Sequence, residues 1–451
     1  MSSVAPDRPL RLAALGAALL LTIVANVFTG AFDPRVQAGF GVVAFIALIA
    51  GFSTNLRAIN WRTVVFGIAL QIGLALLILK LTIGGRRPGY ELFEGIAAMV
   101  RQFLEFTNAG SQFVFGGLAD QEVMSKVFPG GFVFAFTALP TVIFVSSFFT
   151  VLYYFGILQF IVRMMAKAMM RLMQTSGAET LSAAANVFMG QTEAPIIVKP
   201  YIPHMTQSEL LALMVGGLAT ISGGVMAVYI SLGADAVAIL TTSVMAAPCG
   251  LYLSKIMWPE TAEPVTRGRV TIEVRRTHVN VVDAAAAGAS EGMYLAFNIA
   301  AMLIAFLAFL ALFDYLLARI PVEWTSWIAP GPLSLSKLFA VVFAPVATLM
   351  GVIPQDVPAV ADLLGTKLVA NEFVAYVKLT TEYRDIDPRS YSLATFALTG
   401  FANFSSIGIM LGGIGGMAPE RRGDIARLGL RALLAGFVAT MINASIAAML
   451  L

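Results

Sequence analysis

Glu193, within Gly190-Gln191-Thr192-Glu193-Ala194-Pro195, and Glu372, within Val369-Ala370-Asn371-Glu372-Phe373, each sit in an apolar stretch of the chain. A carboxylate so placed can accept hydrogen bonds from hydroxyls and amides, attract a cation, or carry a proton. At bilayer depth it is costly, so it faces a cavity, a partner or a substrate rather than lipid. Composition puts both residues at that depth. Of 451 residues, 58% are hydrophobic and 12% charged, and the mean hydropathy is +0.84, far from a soluble protein. An all-α polytopic bundle is the architecture open to such a chain. One cysteine, Cys249, and two histidines leave little material for disulfide or metal chemistry. The net charge of +3 is spread among loops, with no polybasic tail to suggest a nucleic-acid partner.

Spanning candidates fall at 11–31, 37–53, 63–83, 132–160, 208–229, 233–250, 292–320, 391–413 and 432–450. The first follows Arg8 and Arg11 but lacks a small-residue cleavage site, and so reads as a retained span rather than a signal peptide. Residues 90–118 and 161–173 mix charged and apolar side chains as interfacial helices do. The polar stretch 258–285, with Arg267, Arg269, Arg275 and Arg276, is the sizeable aqueous loop. A cytoplasmic N-terminus would place Arg57 and Arg62, then Arg163, Lys167 and Arg171, then that loop, then Arg421, Arg422, Arg427 and Arg431 all inside.

Two apolar stretches break the spanning pattern. Residues 176–205 carry polar residues around Glu193 and are interrupted by Pro195, Pro200 and Pro203; residues 331–378 carry Pro345, Gly351, Pro354, Pro358 and Gly365 before Glu372. Both read as re-entrant hairpins, a backbone form tolerated where it lines a cavity. Glu193 and Glu372 lie 179 residues apart, and at the same offset Ile230-Ser231-Leu232-Gly233 recurs as Ile409-Met410-Leu411-Gly412. Under the proposed topology helices 208–229 and 391–413 run in opposite directions, which makes the repeat inverted. Each has a polar centre, Thr220-Ile221-Ser222-Gly223-Gly224 and Gly400-Phe401-Ala402-Asn403-Phe404-Ser405-Ser406. Glycine and asparagine there predict local unwinding; close helix packing by small residues is the alternative.

The run from Ser182 to Tyr201, together with Asn371-Glu372-Phe373-Val374-Ala375-Tyr376 and Gly400 to Ser405, closely resembles the concentrative nucleoside transporters. The likeness extends from about residue 37 to the C-terminus, with 11–31 as an added N-terminal helix. It implies a homotrimer in the inner membrane, each protomer pairing a fixed scaffold with a mobile transport domain. By that likeness 1–130 is mostly scaffold, 131–175 a span plus an amphipathic helix, 176–290 the first hairpin with transport-domain helices, 291–325 a long scaffold helix, and 326–451 the second hairpin with its helices.

The resemblance also implies roles. Gln191 and Thr192 would bond a nucleobase, with Glu193 reaching it through water; Glu372, Asn403 and Ser406 would hold ribose hydroxyls; Val225 and Phe401 would give apolar contact. Such a division suits a nucleoside, which offers base-edge donors and acceptors, vicinal hydroxyls and a π-face. Sodium, as coupling ion, would take the side chains of Asn186 and Thr220 and the carbonyls of Met189 and Ile221, and possible participation by the Thr220 carbonyl stays open; no other cofactor is implied. Met189 replaces a valine of the family pattern, a change that a backbone ligand tolerates. Coupling to a proton on Glu193 or Glu372 is the alternative. Three other readings stand beside this one: an intramembrane acid/base enzyme, which lacks a nucleophile; an ion channel or exchanger; and purely structural ion pairs, Glu193 with Lys199 and Glu372 with Lys367.

Overall fold

The computed structural model describes residues 7–120, 123–124, 126, 133–268, 278–327 and 330–451. The predicted loop residues Arg269, Arg275 and Arg276 lie outside them. The described fold is helical, built from α1 (Arg8–Val27), α2 (Pro34–Gly51), α3 (Trp61–Ala75, extended by a wider turn to Lys80), α4 (Pro88–Phe115), α5 (Phe134–Tyr154) and α6 (Ile157–Met173). The first hairpin follows, with α7 (Gly177–Ala185) as its leading arm and short turns at Ala194–Ile197 and Lys199–His204 as its return. Then come α8 (Gln207–Ala219), α9 (Gly223–Ser231), α10 (Ala236–Met257), α11 (Val281–Leu317) and α12 (Leu335–Leu349). The second hairpin is α13 (Val357–Val369) and α14 (Glu372–Thr381), followed by α15 (Pro388–Leu398), α16 (Phe404–Met417) and α17 (Arg422–Leu450).

Among the described residues, eight helical stretches are long and apolar enough to cross a membrane. Three sequence boundaries change. The stretch 331–378 is not one hairpin, because α12 is a separate helix that ends at a turn through Gly351, φ 78°, and the hairpin proper begins at Val357. The span 132–160 stops at Tyr154, since Gly156 adopts φ 78° and restarts the chain as α6. The span 391–413 is two half-helices, α15 and α16.

Both broken helices end their first half at equivalent points, Ala219 and Leu398, the same 179 residues apart as the glutamates. Side chains restart them: Ser222 Oγ accepts from the Val225 amide and Asn403 Oδ1 from the Ser406 amide at 2.9 Å, supplying the partner that a helix N-terminus lacks. The Phe401 amide donates to the Thr220 carbonyl at 3.1 Å, so the two breaks meet. Gly400 permits the approach; a Cβ there would lie 2.7 Å from the Thr440 side chain and 3.0 Å from the Leu218 carbonyl oxygen. The ends show direction. Tyr391 and Ser392, opening α15, bond Gly233 and Asp235 just beyond α9. Arg421, just beyond α16, donates to the carbonyls of Ile202, Pro203 and Met205, just before α8. The two broken helices therefore run antiparallel, as the repeat requires.

Packing divides the chain differently from the sequence expectation for 1–130. The α2 and α3 helices join α10 and α17 rather than α5 and α11. A buried polar chain fixes this arrangement: Gln71 donates to Asn443 at 2.6 Å and accepts from Tyr252 at 2.8 Å, while Asn443 donates to Thr242 at 3.1 Å. Such fully partnered networks hold one arrangement of helices. By contrast α11 buries only one stripe, Ala284, Gly288, Gly292 and Ala296, against α5. Small residues at that spacing let the two backbones close. A Cβ on Gly292 would stand 2.7 Å from the Ile143 Cα, so Gly292→Val should cost about 1–3 kcal/mol by overpacking. Thermal unfolding of the detergent-purified protein should show a lowered midpoint for Gly292→Val and none for Gly95→Ala, whose surroundings are open.

Candidate substrate and cation sites

Between the two hairpin tips, the two breaks and one face of α11 lies a cavity of about 230 Å³. Gln191, Thr192, Glu193, Val225, Glu372, Phe401, Asn403 and Ser406, the eight residues expected to meet substrate, all line it. At the first tip the Gly190 amide donates to Glu193 Oε2 at 3.0 Å, folding the carboxylate back over the turn while its side chain stays open to the cavity. Gln191 Nε2 donates to Ser406 Oγ at 3.3 Å and joins the tip to α16; its Oε1 is buried without a partner.

The second tip holds its carboxylate more tightly. Asn371 Oδ1 caps α14 by accepting from the Val374 amide at 2.9 Å, which makes Glu372 the first helical residue. A negative charge there meets the positive end of the helix dipole. Tyr229 OH donates to Oε1 at 3.1 Å and Asn403 Nδ2 to Oε2 at 2.9 Å. Tyr229 is itself fixed by stacking on Tyr376, centroids 4.0 Å apart. A carboxylate accepts about four hydrogen bonds, so each oxygen keeps capacity on the cavity side. The ion-pair reading of the glutamates is overturned: among the described residues neither pairs with Lys199 or Lys367, and Lys367 Nζ donates instead to the Ala397 carbonyl at 2.7 Å and Thr440 Oγ1 at 2.9 Å.

The expected cation ligands also converge. Asn186 is fully buried, and neither Oδ1 nor Nδ2 has a hydrogen-bond partner. Such an orphan is expensive unless something else fills its needs. Its amide lies beside Gly216, where a Cβ would stand 3.0 Å from Nδ2, and Thr220 Oγ1 donates to the Gly216 carbonyl at 2.9 Å, leaving its own lone pairs free. The Gly223 amide donates to the Phe188 carbonyl at 2.8 Å and so clamps the loop bearing Met189 against the break bearing Ile221. The Thr220 carbonyl is engaged by Phe401; those of Met189 and Ile221 receive no bond from the described backbone outside helices. Amide, hydroxyl and carbonyl oxygens fit a hard monovalent cation. Their fit rests on Asn186, whose oxygen is buried and unused.

Sequence reasoning missed Tyr229, one turn after Val225 on α9, and Asn298, a lone amide in the apolar run of α11 that reaches the cavity. The period of four from Val225 was the available signal for Tyr229. For Asn298 it was the rarity of an amide amid apolar neighbours.

Tips of two hairpins closing on two antiparallel breaks define a secondary transporter with an inverted repeat. The sequence matches the family models described as Na+ dependent nucleoside transporter N-terminus over 40–118, nucleoside recognition over 135–236, and Na+ dependent nucleoside transporter C-terminus over 238–448. It is 44% identical to an uncharacterized transporter of Haemophilus influenzae, covering 90% of this chain and 95% of that one. With sodium/nucleoside cotransporter 1 of Mus musculus it shares 40% identity over 97% of this chain and 67% of that protein. Among solved structures it is similar to CNTnw in an inward-facing substrate-bound state, with a TM-score of 0.85, 36% identity, and coverage of 92% of this chain and 98% of that one. A CNTnw variant in an outward-facing state matches with a TM-score of 0.84, 36% identity, and coverage of 92% and 97%. The chain belongs to the concentrative, Na+-dependent nucleoside transporter family. It is a multi-pass membrane transporter, not an enzyme.

The Glu372 geometry carries a structural prediction. Tyr229→Phe removes one of two donors from a buried carboxylate, a loss of about 1–3 kcal/mol. The purified variant should unfold at lower temperature, and a midpoint equal to wild type would show that the Tyr229 bond does not hold the tip.

Proposed function

We propose that the protein imports uridine-like nucleosides by symport with sodium, the substrate being held between the hairpin tips and the breaks. The observation that supports this most is Glu372, buried at a helix start with its outer lone pairs fixed by Tyr229 and Asn403. A carboxylate so oriented suits vicinal ribose hydroxyls, with charge-assisted bonds that a sugar lacking them forfeits. Glu372, Asn403 and Ser406 would take the ribose. Gln191 and Thr192 would take the base, Glu193 would reach it through water, and Phe401 and Val225 would pack on its apolar faces. The orphaned amide of Asn186, with Thr220 and the carbonyls of Met189 and Ile221, would hold the sodium.

Alternating access would come from the hairpin-bearing bundle moving against α4, α5 and α11. The thin, small-residue contact between α5 and α11, and the exposed apolar flank of α11 at Phe297, Ile304 and Phe313, support α11 as the seam of a homotrimer. Residence in the inner membrane with a cytoplasmic N-terminus follows from the distribution of Lys and Arg.

Uptake of radiolabelled uridine into proteoliposomes under an imposed sodium or proton gradient tests the reading. A sodium gradient should drive accumulation. Glu372→Gln should lower uptake at subsaturating uridine roughly 10- to 100-fold, the value of a charged hydrogen bond. Undiminished uptake would remove Glu372 from the site. Uptake that persists without sodium but collapses when the pH gradient is abolished would replace sodium by a proton.

A further inference from the structure

Lys367 is fully buried on α13, a position a lysine holds only with partners. Its ammonium group donates to the Ala397 carbonyl at 2.7 Å and to Thr440 Oγ1 at 2.9 Å, and lies 5.4 Å from the centre of the Phe437 ring. Ala397 stands one residue before the end of α15, where the carbonyls of a half-helix gather negative potential. The repeat puts Leu218 at the matching place on α8, the half-helix end against which Thr220 and Asn186 form the cation set.

The two ends are furnished in opposite ways. Hairpin 1 stops being helical at Ala185 and opens a loop from Asn186 to Gly190; hairpin 2 stays helical through the equivalent positions, to Val369. Gly365, the repeat partner of Asn186, offers no donor and is covered by the Phe339 ring, within 2.2 Å of where a Cβ would stand. Tyr376 OH donates to the Thr395 carbonyl at 3.0 Å and is bonded to Thr399 Oγ1, the repeat partner of Thr220, at 2.7 Å. Every polar need at the end of α15 examined above is met by side chains. At the end of α8 the Asn186 amide remains unpaired.

We propose that Lys367 is a tethered cation: in the second repeat it takes the place that the mobile sodium takes in the first, and thereby limits coupling to one sodium per nucleoside. Its charge, with one bound sodium, balances Glu193 and Glu372 around the cavity, so the loaded centre is neutral and the empty one is not. Removing the ammonium group leaves the Ala397 carbonyl, the Thr440 hydroxyl and the end of α15 unpaired, an oxygen set open to a second sodium.

This rests on sodium coupling at Asn186, and its test separates the two. The ratio of labelled sodium to labelled uridine entering proteoliposomes should be one for wild type and for Lys367→Arg. For Lys367→Gln it should rise to two, with uptake becoming steeper in sodium. A wild-type ratio of two, or Lys367→Gln keeping a ratio of one, would overturn the proposal while leaving symport intact. Wild-type uptake that needs no sodium would instead sink the symport reading and this one with it. Should Lys367→Gln be unstable, added sodium should raise its thermal midpoint more steeply than that of wild type. Instability that sodium does not correct would count against the tethered cation.

Discussion

The bond from the Phe401 amide to the Thr220 carbonyl is where the architecture is decided. A break in a helix at membrane depth strands backbone donors and acceptors that lipid cannot satisfy, each at several kcal/mol. Here one break is placed against the other, and the caps Ser222 and Asn403 restart each helix on the far side. Two antiparallel crossings locked in this way make a polar centre inside an apolar bundle. The hairpins then have something to close on: Gln191 reaches Ser406 from one side, and Glu372 reaches Asn403 and Tyr229 from the other.

Symmetry in the backbone is joined to asymmetry in the side chains. Glu193 and Glu372 occupy equivalent places, yet one opens to the cavity with an amide of its own turn as partner, while the other is buried and held by two donors from other elements. A loosely held carboxylate suits a water-mediated contact and a fixed one suits direct recognition. The same contrast separates Asn186, whose amide is unused, from Lys367, whose ammonium group is fully engaged. An inverted repeat of this kind makes one substrate site and one ion site from two copies of a plan, because each copy has been furnished differently.

Much of this was legible in the chain. Composition gave the bundle, the 179-residue offset located both hairpins and both breaks, and all eight expected substrate residues line one cavity. The losses have physical causes. Proline and glycine between 331 and 378 signal interruption but not which side of it is helix, so α12 was merged with the hairpin that follows. Hydropathy says that α2 and α3 span, yet their allegiance to α10 and α17 depends on Gln71 finding Asn443 across 372 residues of chain, which no local pattern encodes. Lys367 was read as a partner for Glu372 because it lies five residues away in sequence; in three dimensions it faces the end of α15. Helical spacing puts neighbours in sequence on different faces, and tertiary packing chooses between them.

The account stands on hairpin 1 and the first break forming a cation site that shares a wall with the substrate cavity, through Gln191 and Glu193 just beyond Met189. Binding at adjoining sites built from the same mobile tip is coupled, and the coupling is reciprocal. Calorimetric titration of uridine into the purified protein, with sodium and with an equal concentration of choline, measures this directly. The account predicts tighter uridine binding in sodium and no such difference in Asn186→Ala. Equal affinity in the two salts for the wild-type protein would contradict it.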